Sequence, residues 1–274
     1  MGNWNLNDIP WDNFDKSLLN SNLLNVVKAA CMVEYHSEDY TKYLCGVFHD
    51  DPGFCSDAQK WGVEEVQHGK ALRRYAEIAD PNFNFNSTYA RFVENHKINT
   101  QAQESIRGSR CNELVARCVV EVGTSAYYSA LKDATEEPVL KEIFRNIAAD
   151  EFRHYKLFYT NMKRYQKQEG VSRIGRFIAA FKRLIEAGDD ELSYAYYCAI
   201  ETSAPYNKST YSNAYASQVF PHYRYQHVKR GLGMIMKVIG IKPWGIIGKV
   251  ITAICWLTFQ GYTGYTSSAA KKAS

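Results

Sequence analysis

The sequence predicts an all-α protein: a four-helix bundle followed by additional C-terminal helices. Three observations predict it. Apolar residues recur at spacings of three, four and seven over four long stretches, the period of a helix with one buried face. No stretch alternates with the period of two that a half-buried strand needs, and no hairpin signal interrupts. A polar, asparagine-rich segment separates the second stretch from the third, as the single long crossover of a bundle would.

The elements follow in order. The first stripe is Leu23, Val27, Ala30, Glu34, Thr41, Leu44 and Phe48. Asp51-Pro52 then combines an N-cap with proline at the first helical position, where its missing N–H costs nothing. Trp61, Glu65, His68, Leu72 and Tyr75 form the second stripe, which stops before Asp80-Pro81. Residues 81–108 are polar and predict an irregular crossover. Leu114, Cys118, Glu121, Tyr128 and Leu131 form the third stripe. Pro138 opens the fourth, with Leu140, Phe144, Ile147, Glu151, His154 and Phe158. Further helices are expected over about 173–187, 190–203 and 209–239. An apolar stretch, Trp244–Tyr262, comes next, and the small, polar tail Thr263–Ser274 predicts disorder.

Composition divides the chain. Its 274 residues suffice for a sizeable core, and the net charge of +4 hides an asymmetry. Residues 202–274 hold nine Lys and Arg and no acid, against 24 Lys and Arg and 29 acids before them. The expected organisation is a bundle with an N-terminal extension over 1–168, then appended helices over 169–274, basic and partly apolar. MGNWNLNDIPWDNFD has neither a basic start nor an apolar run, so no signal peptide is expected. The seven cysteines form no CxxC pair and are expected to be reduced thiols of a cytoplasmic protein.

Acid interrupts each stripe on its apolar side. The order is Glu34, then Glu65 with His68, then Glu121, then Glu151 with His154. Residues three apart share a helical face, so each Glu–His pair can approach one point. Four ionised carboxylates inside a bundle would repel one another and lose their hydration, at a cost of several kcal/mol per ion. Two divalent cations cancel that charge, and two imidazoles complete the ligand shell. One Glu from each of two helices plus Glu-x-x-His from each of the other two is the di-iron or di-manganese carboxylate pattern of ferritin-like bundles. Carboxylate and imidazole ligands suit iron at such a centre. A single ExxH is common on solvated helix faces; two, each preceded by a stripe Glu on the previous helix, are not. Glu38 lies one turn beyond Glu34 but breaks the stripe less cleanly, so Glu34 is taken as the ligand.

Metal-bound imidazoles commonly donate their other N–H to a carboxylate. Asp150 is therefore expected to orient His68, and Glu64 to orient His154. His36, His49, His96, His222 and His227 match no ligand spacing.

"WGVEEVQHGKALRRY" (61–75) and "IAADEFRHYKLFY" (147–159) resemble the EENRHG and IAADEKRH segments of soluble acyl-ACP desaturases. The resemblance covers about 20–168 and implies a ferritin-like fold, a non-haem diiron centre and O2-dependent oxidation of an aliphatic chain. It carries the ligand roles to Glu34, Glu65, His68, Glu121, Glu151 and His154. It also implies that Thr124, one turn after Glu121, assists proton delivery; otherwise it is a core threonine bonded to a backbone carbonyl. Aldehyde-deformylating oxygenases share the ligand order and also resemble the chain. Rubrerythrins share the core, but their rubredoxin-type module has no counterpart without CxxC pairs.

The resulting expectation is an oxidase or oxygenase that desaturates, hydroxylates or deformylates a lipid-like or acyl-carrier substrate. The alternatives are a rubrerythrin- or ferritin-like peroxidase or ferroxidase, and a tRNA-modifying diiron hydroxylase. Trp61, Leu72, Phe144, Ile147 and Phe158 are candidates for an aliphatic channel. Without a nucleotide-binding glycine fingerprint, electrons are expected from an external donor such as a ferredoxin. Trp244–Tyr262, with Lys249 near its middle, fits a helix lying in a membrane interface better than one spanning it. The same segment could instead dock an acidic carrier protein or form a homodimer.

Overall fold

The computed structural model describes residues 4–186, 190–200 and 204–273, and every regular element among them is helical. After short 3₁₀ turns, α1 (Ser21–Tyr35) and α2 (Ser37–Val47) make the first column of the bundle. Then come α3 (Pro52–Ala79), α4 (Phe85–Asn95), α5 (Arg110–Ala134) and α6 (Pro138–Glu169). The appended elements are α7 (Arg173–Glu186), α8 (Asp190–Ala199), α9 (Lys208–Val219), α10 (Tyr225–Ile239) and α11 (Ile246–Ala273).

Local chemistry sets the ends. The Asp51 carboxylate accepts from Phe54 N–H at the start of α3, and Ser109 Oγ from Asn112 N–H at the start of α5. Glu137 caps α6 through Val139 and Leu140 N–H, just before Pro138. Gly170, at φ 65°, closes α6 in the left-handed region that favours glycine.

Four expectations are corrected. The first stripe is two helices: His36 (φ −81°, ψ 1°) breaks it, its N–H reaching both Met32 O and Val33 O as the last turn of α1 tightens. The crossover is not wholly irregular, because Asn84 caps α4 within it. The helix expected over 209–239 divides at Phe220–His222, where Pro221 cannot continue the backbone ladder. The tail is helical through Ala273 rather than disordered. The ends expected at 187 and 201–203, and Ser274, lie outside the described residues.

In the bundle, α1 pairs with α3, α5 pairs with α6, and α3 meets α6. The core falls into two parts. One holds Leu23 to Met32, Leu72, Tyr75, Tyr128, Phe144 and Ile147; the other holds Leu44, Phe48, Phe54, Trp61, Leu114 and Phe158. In the α1–α2 column, in α3 and in α6 the break between the two parts falls at the acid and histidine positions, and in α5 it falls just after Glu121, between Val122 and Tyr128. The appended helices extend both parts: α8 and α9 cover α1, α7 and α10 cover α5, and α11 lies on α9 and α10.

Gly69 follows His68 directly and lets α1 approach α3. A Cβ there would stand 2.7 Å from Tyr35 N and 2.9 Å from Tyr35 Cα, one residue from Glu34. Because a backbone cannot yield as a side-chain tip does, Gly69→Ala is expected to cost about 1–3 kcal/mol of stability. Gly261→Ala, where an added Cβ meets nothing, should be neutral or stabilise by up to about 1 kcal/mol. Thermal melts of the two variants check this.

Candidate dimetal site

Glu34 stands in the last turn of α1, Glu65 and His68 in the middle of α3, Glu121 in α5, and Glu151 and His154 in α6. None is more than 7% exposed. Their ligating atoms form two groups, Glu34–Glu65–His68–Glu151 and Glu65–Glu121–Glu151–His154, each with its atoms within 4.8 Å of one another. Glu65 and Glu151 belong to both. His68 Nδ1 lies 3.2 Å from Glu151 Oε1 and 3.7 Å from Glu34 Oε2. His154 Nδ1 lies 2.9 Å from Glu65 Oε1 and 3.6 Å from Glu121 Oε2. Glu38 is exposed in α2 and stands outside the cluster.

The donor set fits a pair of divalent cations. His68 Nδ1, His154 Nδ1, Glu65 Oε1, Glu121 Oε2 and Glu151 Oε1 are buried and make no hydrogen bond. Even the 2.9 Å approach of His154 to Glu65 lacks hydrogen-bond alignment. Five orphaned lone-pair atoms converging in a core would be costly unless a cation meets them.

Electrostatics divides the groups into an inner and an outer set. Burial, reinforced by the charges of Glu151 and Glu34, pushes Glu65 well above the carboxylate range. Burial likewise pushes Glu151 up to about 8. Outside the imidazoles the balance reverses. His68 Nε2 meets Asp150 Oδ2 at 3.1 Å, and His154 Nε2 meets Glu64 Oε2 at 2.8 Å. Burial opposes ionisation of Asp150 and Glu64, but their histidine bonds and Arg153 outweigh it and hold both at about 2. An Nε2–H donated to these anions leaves the Nδ1 lone pair facing the cluster, the tautomer a metal ligand needs.

Arg153 donates to both outer carboxylates, at 3.2 Å to Glu64 Oε2 and more closely to Asp150. Trp4 Nε1 donates to Asp150 Oδ2 at 2.8 Å, and its ring stacks parallel to His68 at 6.1 Å. Sequence reasoning missed both. The i, i+3 spacing of Asp150 and Arg153 was an available signal; nothing near Trp4 in sequence points to residue 150. The Tyr128 hydroxyl donates to Glu34 Oε1. Thr124 Oγ1 lies 2.5 Å from Glu151 Oε2 and 3.1 Å from Glu121 O, so its one proton chooses between carboxylate and helix backbone.

A cavity of about 470 Å³ reaches this cluster from one side, with Glu34, Thr124 and Tyr128 in its wall. The remaining wall is mainly apolar: Val33, Val119 and Gly123 from the bundle, and Leu192, Val219 and Ile235 from the appended helices. The channel expected from Trp61, Leu72, Phe144, Ile147 and Phe158 is corrected, because all five fill the two cores and none lines the cavity.

Fold and cluster together define an all-α, ferritin-like helical bundle whose centre could hold metal. Residues 113–223, which carry Glu121, Thr124, Glu151 and His154, match the family model described as Rubrerythrin. No curated protein matches the chain.

Because Glu65 and Glu151 serve both groups, Glu65→Ala or Glu151→Ala is expected to remove most bound metal, and Glu121→Ala about half. Asp150→Asn should weaken binding about 10- to 100-fold with the fold intact. Metal content per chain and helical circular dichroism check both; full metal retention by Glu151→Ala would contradict the assignment.

Proposed function

We propose that the chain holds two iron ions through Glu34, Glu65, His68, Glu121, Glu151 and His154 and uses O2 to oxidise a lipid-like aliphatic substrate. The observation that carries this reading is the apolar cavity ending on Glu34 and Thr124. A bundle that only stores iron or removes peroxide has no need for such a space. Its volume lies within the roughly 300–1,000 Å³ of small-molecule sites. The resemblance to soluble acyl-ACP desaturases and aldehyde-deformylating oxygenases supports the same substrate class.

When bound, a reduced iron pair supplies the electrons that activate O2. The chain's own residues do the rest. The apolar wall desolvates an aliphatic chain and directs one segment of it toward Thr124. Thr124 Oγ1 can present its proton to Glu151 Oε2 or withdraw it to the Glu121 carbonyl, which suits a group that delivers one proton on demand. Tyr128 fixes Glu34 at the cavity end. Asp150 and Glu64 keep both imidazoles in their ligating tautomer. Reducing equivalents come from a separate carrier such as a ferredoxin.

The Rubrerythrin match favours a second reading, peroxide reduction or Fe(II) oxidation at the same centre. Gly123 separates the two. It lines the cavity beside Thr124, and a Cβ there meets nothing within 4 Å. Gly123→Leu should cut oxidation of long-chain acyl or aldehyde substrates about tenfold or more while leaving metal content unchanged. Under the second reading, turnover of hydrogen peroxide or Fe(II) would exceed any lipid oxidation and would ignore that substitution. Thr124→Val should slow O2 consumption by the reduced protein by roughly 10²-fold without loss of metal. Stopped-flow O2 traces and product analysis by mass spectrometry are the measurements.

A further inference from the structure

Helix α7 is built inside out. Arg176, Ala179 and Ala180 face inward, while Ile174, Phe177, Ile178, Phe181, Leu184 and Ile185 face solvent, each 43–73% exposed. Their spacing of 3, 4, 7, 10 and 11 places them on one helical face. Folding normally buries the large apolar side chains and leaves the small ones outside; contiguous exposed apolar faces mark interaction surfaces. A second such face lies on α11, where Ile246, Ile247, Val250, Ile254 and Leu257 are all more than half exposed. The opposite side of α11 is occupied, with Phe259 against Phe220 and Tyr223.

Two observations join these faces. Helix α10 packs against both α7 and α11. The cavity that reaches the metal cluster includes Leu184 of α7 and Tyr262 of α11 in its wall. Both are also partly exposed to solvent, at 43% and 48%; Leu184 belongs to the exposed apolar face of α7, whereas Tyr262 rests on Phe220 at 5.7 Å, on the occupied side of α11. The apolar face of α7 therefore reaches the cavity wall at Leu184.

Charge selects what covers this surface. Lys182, Lys229, Lys237, Lys242 and Lys249 are exposed on α7, on α10, in the connection after it and at the start of α11. Residues 202–274 contain no acid, and Glu186, the one acid of α7, is paired with Arg107 at 2.6 Å. Two copies meeting through this surface would set like charges against each other. An anionic bilayer instead offers phosphates to the lysines and hydrocarbon to the phenylalanines, isoleucines and leucines, as interfacial helices require. No helix among the described residues is long and apolar enough to cross a membrane.

We infer that the exposed apolar faces of α7 and α11, flanked by lysines, dock on an anionic lipid bilayer, with the cavity opening toward it beside Leu184. An aliphatic substrate then moves from hydrocarbon to cavity without crossing water. The docking face stands on its own observations; only the identity of what enters the cavity rests on the function proposed above.

The test uses the full chain and vesicles of phosphatidylglycerol with phosphatidylcholine at low salt. The protein should co-sediment with them and much less with phosphatidylcholine alone. Phe177→Ser together with Phe181→Ser should weaken partitioning more than about tenfold, as should Ile254→Ser with Leu257→Ser, with melting temperature unchanged. Vesicles should slow amide exchange in 173–186 and 246–262 but not in 52–79. Absence of binding to anionic vesicles, or protection confined to another surface, overturns the inference. So does an α7 variant that still binds vesicles but dissociates a dimer, since the face is then a subunit contact. The assay needs neither metal nor turnover. A chain that binds vesicles yet oxidises no lipid would refute the proposed reaction and leave the docking face standing.

Discussion

The rest of the structure is arranged around four carboxylates held in a dry core. Their mutual repulsion and lost hydration set the terms for everything near them. Two imidazoles and an outer pair of carboxylates answer part of the problem, and the orphaned lone pairs show where the remaining compensation must arrive. The apolar core accommodates the charge by dividing around it, so that no column carries an unbroken hydrophobic face from end to end. Gly69 serves the same constraint: without its missing Cβ, α1 could not bring Glu34 within reach of the others.

Most of this arrangement was legible in the sequence because it is periodic. A helix repeats every 3.6 residues, so an acid on an apolar stripe declares both its face and its depth. Asp150 beside His68 and Glu64 beside His154 were expected on another ground, since each acid adjoins a candidate ligand and a ligating imidazole commonly donates its other N–H to a carboxylate; the structure brings both pairs within hydrogen-bond distance. What stayed hidden depends on contacts between distant segments. Trp4 reaches Asp150 across 146 residues of sequence, and no local pattern encodes that meeting. The interruption at His36 and the helix within the crossover were missed for another reason. Periodicity fixes a face over many residues but says little about a single turn that tightens, or about a short helix started by one asparagine cap. The cavity was placed wrongly because apolar residues near the ligands look alike in sequence whether they fill space or leave it empty.

The appended helices give the bundle something it could not make alone. Helices α8, α9 and α10 stand off α1 and α5 far enough to leave a chamber, yet close enough to share the two cores. The cluster is thereby given an approach from one side, which Glu34, Thr124 and Tyr128 close at its inner end and mainly apolar side chains wall elsewhere. The cavity wall is thus shared between the bundle, through Val33, Val119 and Gly123, and the appended helices, through Leu192, Val219 and Ile235, whereas all six candidate ligands belong to the bundle.

Arg153 carries a consequence of its own. One guanidinium serves both outer carboxylates, so the two imidazoles lean on a single counter-charge. The two imidazole–carboxylate pairs therefore share one support on their far side, behind the candidate ligands, so the loss of that single side chain would be felt by both histidines at once.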